Sequence, residues 1–150
     1  MRRDTIGRPM EILLIEDSLS DARLTIETLK EGPVQHRLTL VRDGQEALDF
    51  LHQSGAFARA PRPDLILLDL HLPKKDGREV LLDIRRSVTL QRIPVVVLTV
   101  SPASEAILRD EQLQVESYLT KPVDVDKFLA VIQQLNRFWR ADVILPANLK

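Results

Sequence analysis

Short apolar runs bounded by breakers recur along the chain, and a stretch with helical spacing follows each. Residues 12–15, 65–68 and 95–98 are unbroken in Ile, Leu and Val. Runs of this length, without alternation, suit strands buried on both faces in the middle of a parallel sheet. Residues 36–41 alternate and predict a strand nearer the sheet edge, and residues 115–119 predict a short last strand. The intervening stretches carry helix signals. Ser18 or Ser20 caps a helix reaching Lys30, with Ala22, Ile26 and Leu29 on one face, and Gly32-Pro33 stops it. Asp43-Gly44 opens a second, with Ala47, Leu48 and Leu51 inward, ending near Ser54-Gly55. A third covers 77–86 with Val80, Leu81 and Ile84 inward. Ser101-Pro102 starts a fourth reaching Leu113, and Asp124 caps a fifth carrying Phe128, Val131, Ile132 and Leu135. Strand and helix thus alternate five times. Parallel strands need crossover helices, and right-handed crossovers place those helices on both faces. The expected fold is a five-stranded, doubly wound α/β domain.

The polar positions add chemistry at the strand ends. The first strand runs into Glu16-Asp17, the third into Asp69, the fourth into Thr99, and the fifth into Thr120-Lys121. In a parallel sheet these ends share one edge, where open α/β folds bind ligands. Taken singly, Asp69 reads equally well as a turn cap, Glu16-Asp17 as an acidic first helical turn, Thr99 as a β-former, and Lys121 as solvated loop charge. Their coincidence at successive strand ends favours a site. Clustered carboxylates raise one another's pKa, a cost that a hard divalent cation such as Mg²⁺ offsets. A lysine and a hydroxyl beside them suit a phosphoryl group.

Composition narrows the alternatives. The 150 residues are 44% hydrophobic and 29% charged, with a net charge of −1, which fits one soluble domain with no global field for nucleic acid or anionic membrane. Cysteine is absent, excluding disulfides, thiol catalysis and cysteine metal sites, and a cytoplasmic setting is expected. No apolar run reaches membrane-span length, and no signal-peptide pattern follows Met1. Residues 1–10 read as a leader, 11–137 as the domain, and 138–150 as an extension.

Ile12-Leu-Leu-Ile-Glu16-Asp17, Leu65-Ile-Leu-Leu-Asp69-Leu-His-Leu-Pro73, Val95-Val-Val-Leu-Thr99 and Tyr118-Leu-Thr-Lys121-Pro122 together resemble the signature of two-component receiver domains. The resemblance implies a flavodoxin-like fold with strand order 2-1-3-4-5. It implies Asp69 as phosphoacceptor for a histidine kinase. It also implies a metal site of Glu16, Asp17, Asp69 and the main-chain carbonyl of His71, holding Mg²⁺ with Mn²⁺ as a substitute. Lys121 would pair with the phosphoryl group, Thr99 would hydrogen-bond it, and Tyr118 would change rotamer in a two-state switch. Such a chain is a signalling phosphoacceptor, not an enzyme. Val100 stands where receivers usually carry a smaller or hydroxylated residue, so its branched side chain is expected to narrow access. His71 is expected to influence dephosphorylation.

Pro61-Arg-Pro-Asp-Leu-Ile-Leu-Leu-Asp-Leu, Leu72-Pro-Lys-Lys-Asp-Gly-Arg-Glu-Val80 and the Phe138-Trp139…Leu145-Pro146 tail resemble the stand-alone regulators of cyanobacterial phytochrome kinases. That implies a phytochrome-type partner. After Lys121 only 29 residues follow, too few for a helix-turn-helix output. Phe128, Phe138, Trp139, Val143, Ile144 and Leu145 are candidate contacts of a homodimer, unless the tail folds back on its own domain. Two rivals remain. An aspartyl-nucleophile phosphohydrolase expects a second Asp where His71 stands, and a receiver-like module that takes no phosphate would not need Asp17, Asp69, Thr99 and Lys121 together. Lys74, Lys75 and Arg78 form a local positive patch beside Asp69.

Overall fold

The three unbroken apolar runs become the inner strands: β1 (Met10–Ile15), β3 (Leu65–Asp69) and β4 (Val95–Thr99), the latter two buried at every position. The less buried β2 (His36–Val41) and β5 (Ser117–Thr120) form the edges. All pairings are parallel in the order β2-β1-β3-β4-β5. This computed structural model describes residues 7–70, 72, 74, 76–100 and 115–146.

Successive strand residues point to opposite faces, and two core layers follow from that alternation. Ile12, Leu14, Leu65 and Leu67 pack with Ala22 and Leu29 of α1 (Leu19–Glu31) and with Phe128, Val131 and Ile132 of α4 (Val125–Gln134). Leu13, Ile15, Ile66 and Leu68 pack with Ala47, Leu48 and Leu51 of α2 (Gly44–Leu51) and Val80, Leu81 and Ile84 of α3 (Gly77–Arg86). The sheet is therefore covered on both sides, as the alternating pattern predicts.

Each of these helices starts on a side-chain cap: Ser18, Asp43, Asp76 and Asp124 accept hydrogen bonds from first-turn amides. The second helix ends at Leu51, earlier than its spacing predicts, and Gln53 beyond it takes the left-handed φ of 55°. β5 begins two residues later than expected. Glu116, just before it, turns its carboxylate to Arg85, at 2.9 Å, and to the amide of Val95, at 3.3 Å, while its own amide donates to the Val95 carbonyl at 3.1 Å. Burial raises the pKa of Glu116 against the opposing pull of Arg85. The helix expected over 101–113 lies outside the described residues.

Leader and tail are tied to the domain. Arg8 pairs with Val143 in a parallel bridge, and its guanidinium forks onto both oxygens of Asp64 at 2.7 and 2.9 Å. The tail residues Val143 and Leu145 join the α1/α4 core layer, as does Phe128. Trp139 packs against the same layer and donates its indole N–H to the carbonyl of Asp64 at 2.7 Å. Of the residues named as dimer candidates, Phe128, Val143 and Leu145 therefore face their own core, the fold-back alternative for the tail. Hydrophobic burial and the Arg8 clamp draw the tail inward, leaving Phe138 exposed and Ile144 half-buried.

Candidate functional site

Register brings the strand ends together. Ile15 lies opposite Leu68, Asp69 opposite Leu98, and Thr99 opposite Thr120, so Glu16, Asp69, Thr99 and Lys121 reach one sheet edge from four strands. The Lys121 amide donates to the Thr99 carbonyl at 2.9 Å, which fixes the start of its loop. The Lys121-Pro122 peptide is cis.

Lys121 is the centre of the cluster. Its Nζ lies 2.5 Å from Glu16 Oε1 and 3.2 Å from both Asp69 Oδ2 and Asp21 Oδ2. Glu16 is fully buried, and Asp69 and Thr99 are nearly so. Burial, and after it the neighbouring Asp69 carboxyl, raise Glu16 to about 7, while Lys121 acts in the opposite direction. For Lys121, burial disfavours the ammonium, but Glu16, Asp69 and Asp21 outweigh it and the pKa rises. Glu16, Asp17, Asp21, Asp69, Val100 and Lys121 line a pocket of about 270 Å³. Val100 stands on its rim, 69% exposed.

Of the residues singled out from sequence, Glu16, Asp17, Asp69 and Lys121 meet in this pocket, and Thr99 ends the adjoining strand. Tyr118 instead packs, half-buried, on the α2/α3 layer. His71 lies outside the described residues. Asp21 was missed. It sits in the first turn of α1, beside the acidic end of β1, and its place in that first turn was the available signal.

The donor set fits a hard divalent cation. Glu16 Oε1 is buried and has an ion-pair contact with Lys121 but no hydrogen-bond partner among the described residues, and carboxylates of Asp17 and Asp69 open on the same pocket. Among the described residues no three such groups stand in ligand geometry, and Glu16, Asp21 and Asp69 each contact the Lys121 ammonium.

Gly77 sets the back of the site. Its amide donates to the Leu70 carbonyl at 3.0 Å, and a Cβ there would stand 2.5 Å from Leu70 Cα and 2.8 Å from the Asp69 carbonyl oxygen. Those obstacles are backbone, so Gly77→Ala must push the end of β3 aside. The expected loss is about 1–3 kcal/mol, read as a lowered thermal midpoint. An unchanged midpoint would show that the loop yields freely.

A family model for the response regulator receiver domain matches residues 12–133. The chain belongs to the response regulator receiver family. Response regulator Rcp1 of Synechocystis sp. is 46% identical over 144 residues, spanning 96% of this chain and 98% of its own. The Mn²⁺-bound structure of Rcp1 aligns with TM-score 0.71 at 47% identity, over 93% of this chain and 100% of that one. The bacteriophytochrome response regulator AtBRR aligns with TM-score 0.82 at 38% identity, over 89% and 96%. The phosphorylated cyanobacterial phytochrome response regulator RcpA aligns with TM-score 0.72 at 44% identity, over 93% and 100%. As in a receiver, the sheet order is 2-1-3-4-5. No helix among the described residues is long and apolar enough to cross a membrane.

Proposed function

We propose that this response regulator accepts a phosphoryl group on Asp69 from a sensor histidine kinase of phytochrome type. The observation that carries the proposal is Lys121, which bridges the nearly buried Asp69 and the buried Glu16 from a third strand end. An Asp69 carboxylate oxygen attacks phosphorus as the P–N bond to the kinase histidine breaks, and the imidazole leaves with that electron pair and takes up a proton. The Lys121 ammonium meets the charge on the phosphoryl oxygens, and the Thr99 hydroxyl donates to one of them. Glu16, Asp17 and Asp69, with the His71 main-chain carbonyl implied by the family, would hold Mg²⁺ or Mn²⁺, which neutralises charge shared between carboxylates and phosphate. The similarity to Mn²⁺-bound Rcp1 and to the phosphorylated cyanobacterial phytochrome response regulator RcpA supports this reading.

Incubation with acetyl phosphate and Mg²⁺, followed by intact mass and peptide mapping, tests it. One phosphate-sized addition mapping to Asp69 and abolished by EDTA is expected; an addition mapping elsewhere, or none, overturns it. The same reading takes the chain as a cytoplasmic homodimer that associates through the C-terminal tail at the half-buried Ile144. Light scattering of the full chain tests this, and a monomer at micromolar concentration refutes it.

Asp21 also has an expected effect. It adds a third carboxylate at Lys121 and negative potential at the mouth, with its side chain 43% exposed. Asp21→Asn should lower the KM for acetyl phosphate about two- to fivefold, the span of a partly screened charge pair, with little change in the thermal midpoint. An unchanged KM would make the Asp21 contact incidental.

A further inference from the structure

The opposite, N-terminal edge of the sheet carries a second cleft, of about 500 Å³, between the approaches to β1, β3 and β4 and the folded-back tail. Arg8, Arg62, Arg92 and Arg140 line it against two carboxylates, Glu11 and Asp64. Both acids are already paired within the chain, Asp64 with Arg8 at 2.7 Å and Glu11 with Arg37 at 3.8 Å. Arg62 donates to the Thr89 carbonyl, and Arg140 contacts Asp142 at 3.5 Å with its side chain 80% exposed. Arg62, Arg92 and Arg140 therefore present an excess of positive charge to solvent, on a chain whose net charge is −1. Trp139 forms part of the wall, held in place by its hydrogen bond to Asp64, and Phe138 is 40% exposed at its side. Pro61 at the rim, with the buried Pro63 and Pro94 beneath it, stiffens the lining and reduces the ordering cost of binding.

We propose that this cleft docks an acidic segment of a partner protein, one in which glutamate or aspartate alternates with apolar side chains. Charge complementarity selects the occupant. Guanidinium forks match carboxylates in a planar, two-point contact, and the aromatic wall with its prolines suits the apolar residues between them. The cleft cations are all arginine. A nucleic acid strand is disfavoured because Glu11 and Asp64 interrupt the basic track and the chain as a whole is slightly acidic. The site lies at the far end of β3 from Asp69 and does not depend on phosphoryl chemistry.

Trp139 is the one tryptophan, so its fluorescence reports from the cleft wall. The full chain is titrated at low ionic strength with a hexapeptide of alternating glutamate and leucine, and in parallel with a single-stranded DNA of matched charge. A saturable change with the peptide is expected. It should weaken about tenfold in Arg62→Glu/Arg92→Glu, weaken similarly at raised salt, and persist in Asp69→Asn. Both arginines are exposed, so an unaltered far-ultraviolet dichroism spectrum should accompany the double variant. Arg140→Glu alone gives the same direction with a smaller factor, about threefold. The proposal is overturned by no saturable change, by equal binding in the variants, or by preference for the DNA. A peptide affinity that falls as protein concentration rises overturns it too, because a second copy then fills the cleft.

Discussion

Asp69→Asn is expected to take up no phosphoryl group and, in metal-free buffer, to unfold at a higher temperature than the parent chain. The two effects have one origin. Asp69 is nearly buried beside Glu16, and a single ammonium serves both of them and Asp21 as well. Asparagine keeps the shape, removes a charge that is costly to desolvate, and leaves Lys121 to its contact with Glu16. Functional carboxylates held close together commonly oppose stability in this way. The expected gain is about 1–2 kcal/mol, a rise of roughly 3–6 °C in the midpoint for a chain of this size.

The pH dependence sharpens the test. Folded Glu16 holds its proton up to about 7, against 4.5 for the ordinary group. Between those values the folded chain binds more protons than the unfolded one, so metal-free stability falls as pH rises through that window and levels off above it. Both the hydrogen bond and the charge of Asp69 push Glu16 upward, so the fall should be shallower in Asp69→Asn. Thermal melts at pH 5 and pH 8 in EDTA check this. A variant less stable than the parent at pH 8 would show that the Lys121–Asp69 pair outweighs the crowding.

Lys121→Met should move stability the other way. Methionine preserves the apolar stem but removes the cation shared by three carboxylates, two of them nearly or fully buried. Removing one partner of a buried pair leaves uncompensated charge, worth about 2–4 kcal/mol here. A divalent cation supplies the missing charge from outside. Mg²⁺ at about a hundred times its dissociation constant returns roughly 2.7 kcal/mol, so the melting deficit should largely close when Mg²⁺ is added. Phosphoryl uptake should not recover with it: loss of a preorganised donor slows transfer by about 10²–10³. Melts with and without Mg²⁺, paired with the rate of phosphate incorporation from acetyl phosphate, separate the two roles. A deficit indifferent to Mg²⁺ would mean that Lys121 matters for packing and not for charge.

Most of the scaffold was legible in one dimension because its cause is one-dimensional. Alternation along β1 and β3 assigns each side chain to a layer, and Ser18, Asp43, Asp76 and Asp124 satisfy amides only two or three residues away. The parallel, doubly wound arrangement followed from the need to cross over between strands, and it placed Glu16, Asp69, Thr99 and Lys121 at one edge; the strand order came from the family resemblance. The Arg85–Glu116 pair, made across 31 residues, was not legible locally.

By itself, then, the sequence determined the strands, the helix starts and the shared edge that gathers the acids and the lysine. Tertiary structure alone decided which acids the lysine meets and where the tail goes. Asp21 reaches Lys121 across 100 residues, and Arg8 reaches Asp142 across 134, both through the packing of separate elements. Periodicity says which face a residue occupies. It does not say which other residue stands opposite, because that depends on how α1 sits beside β5 and how the tail closes under β3.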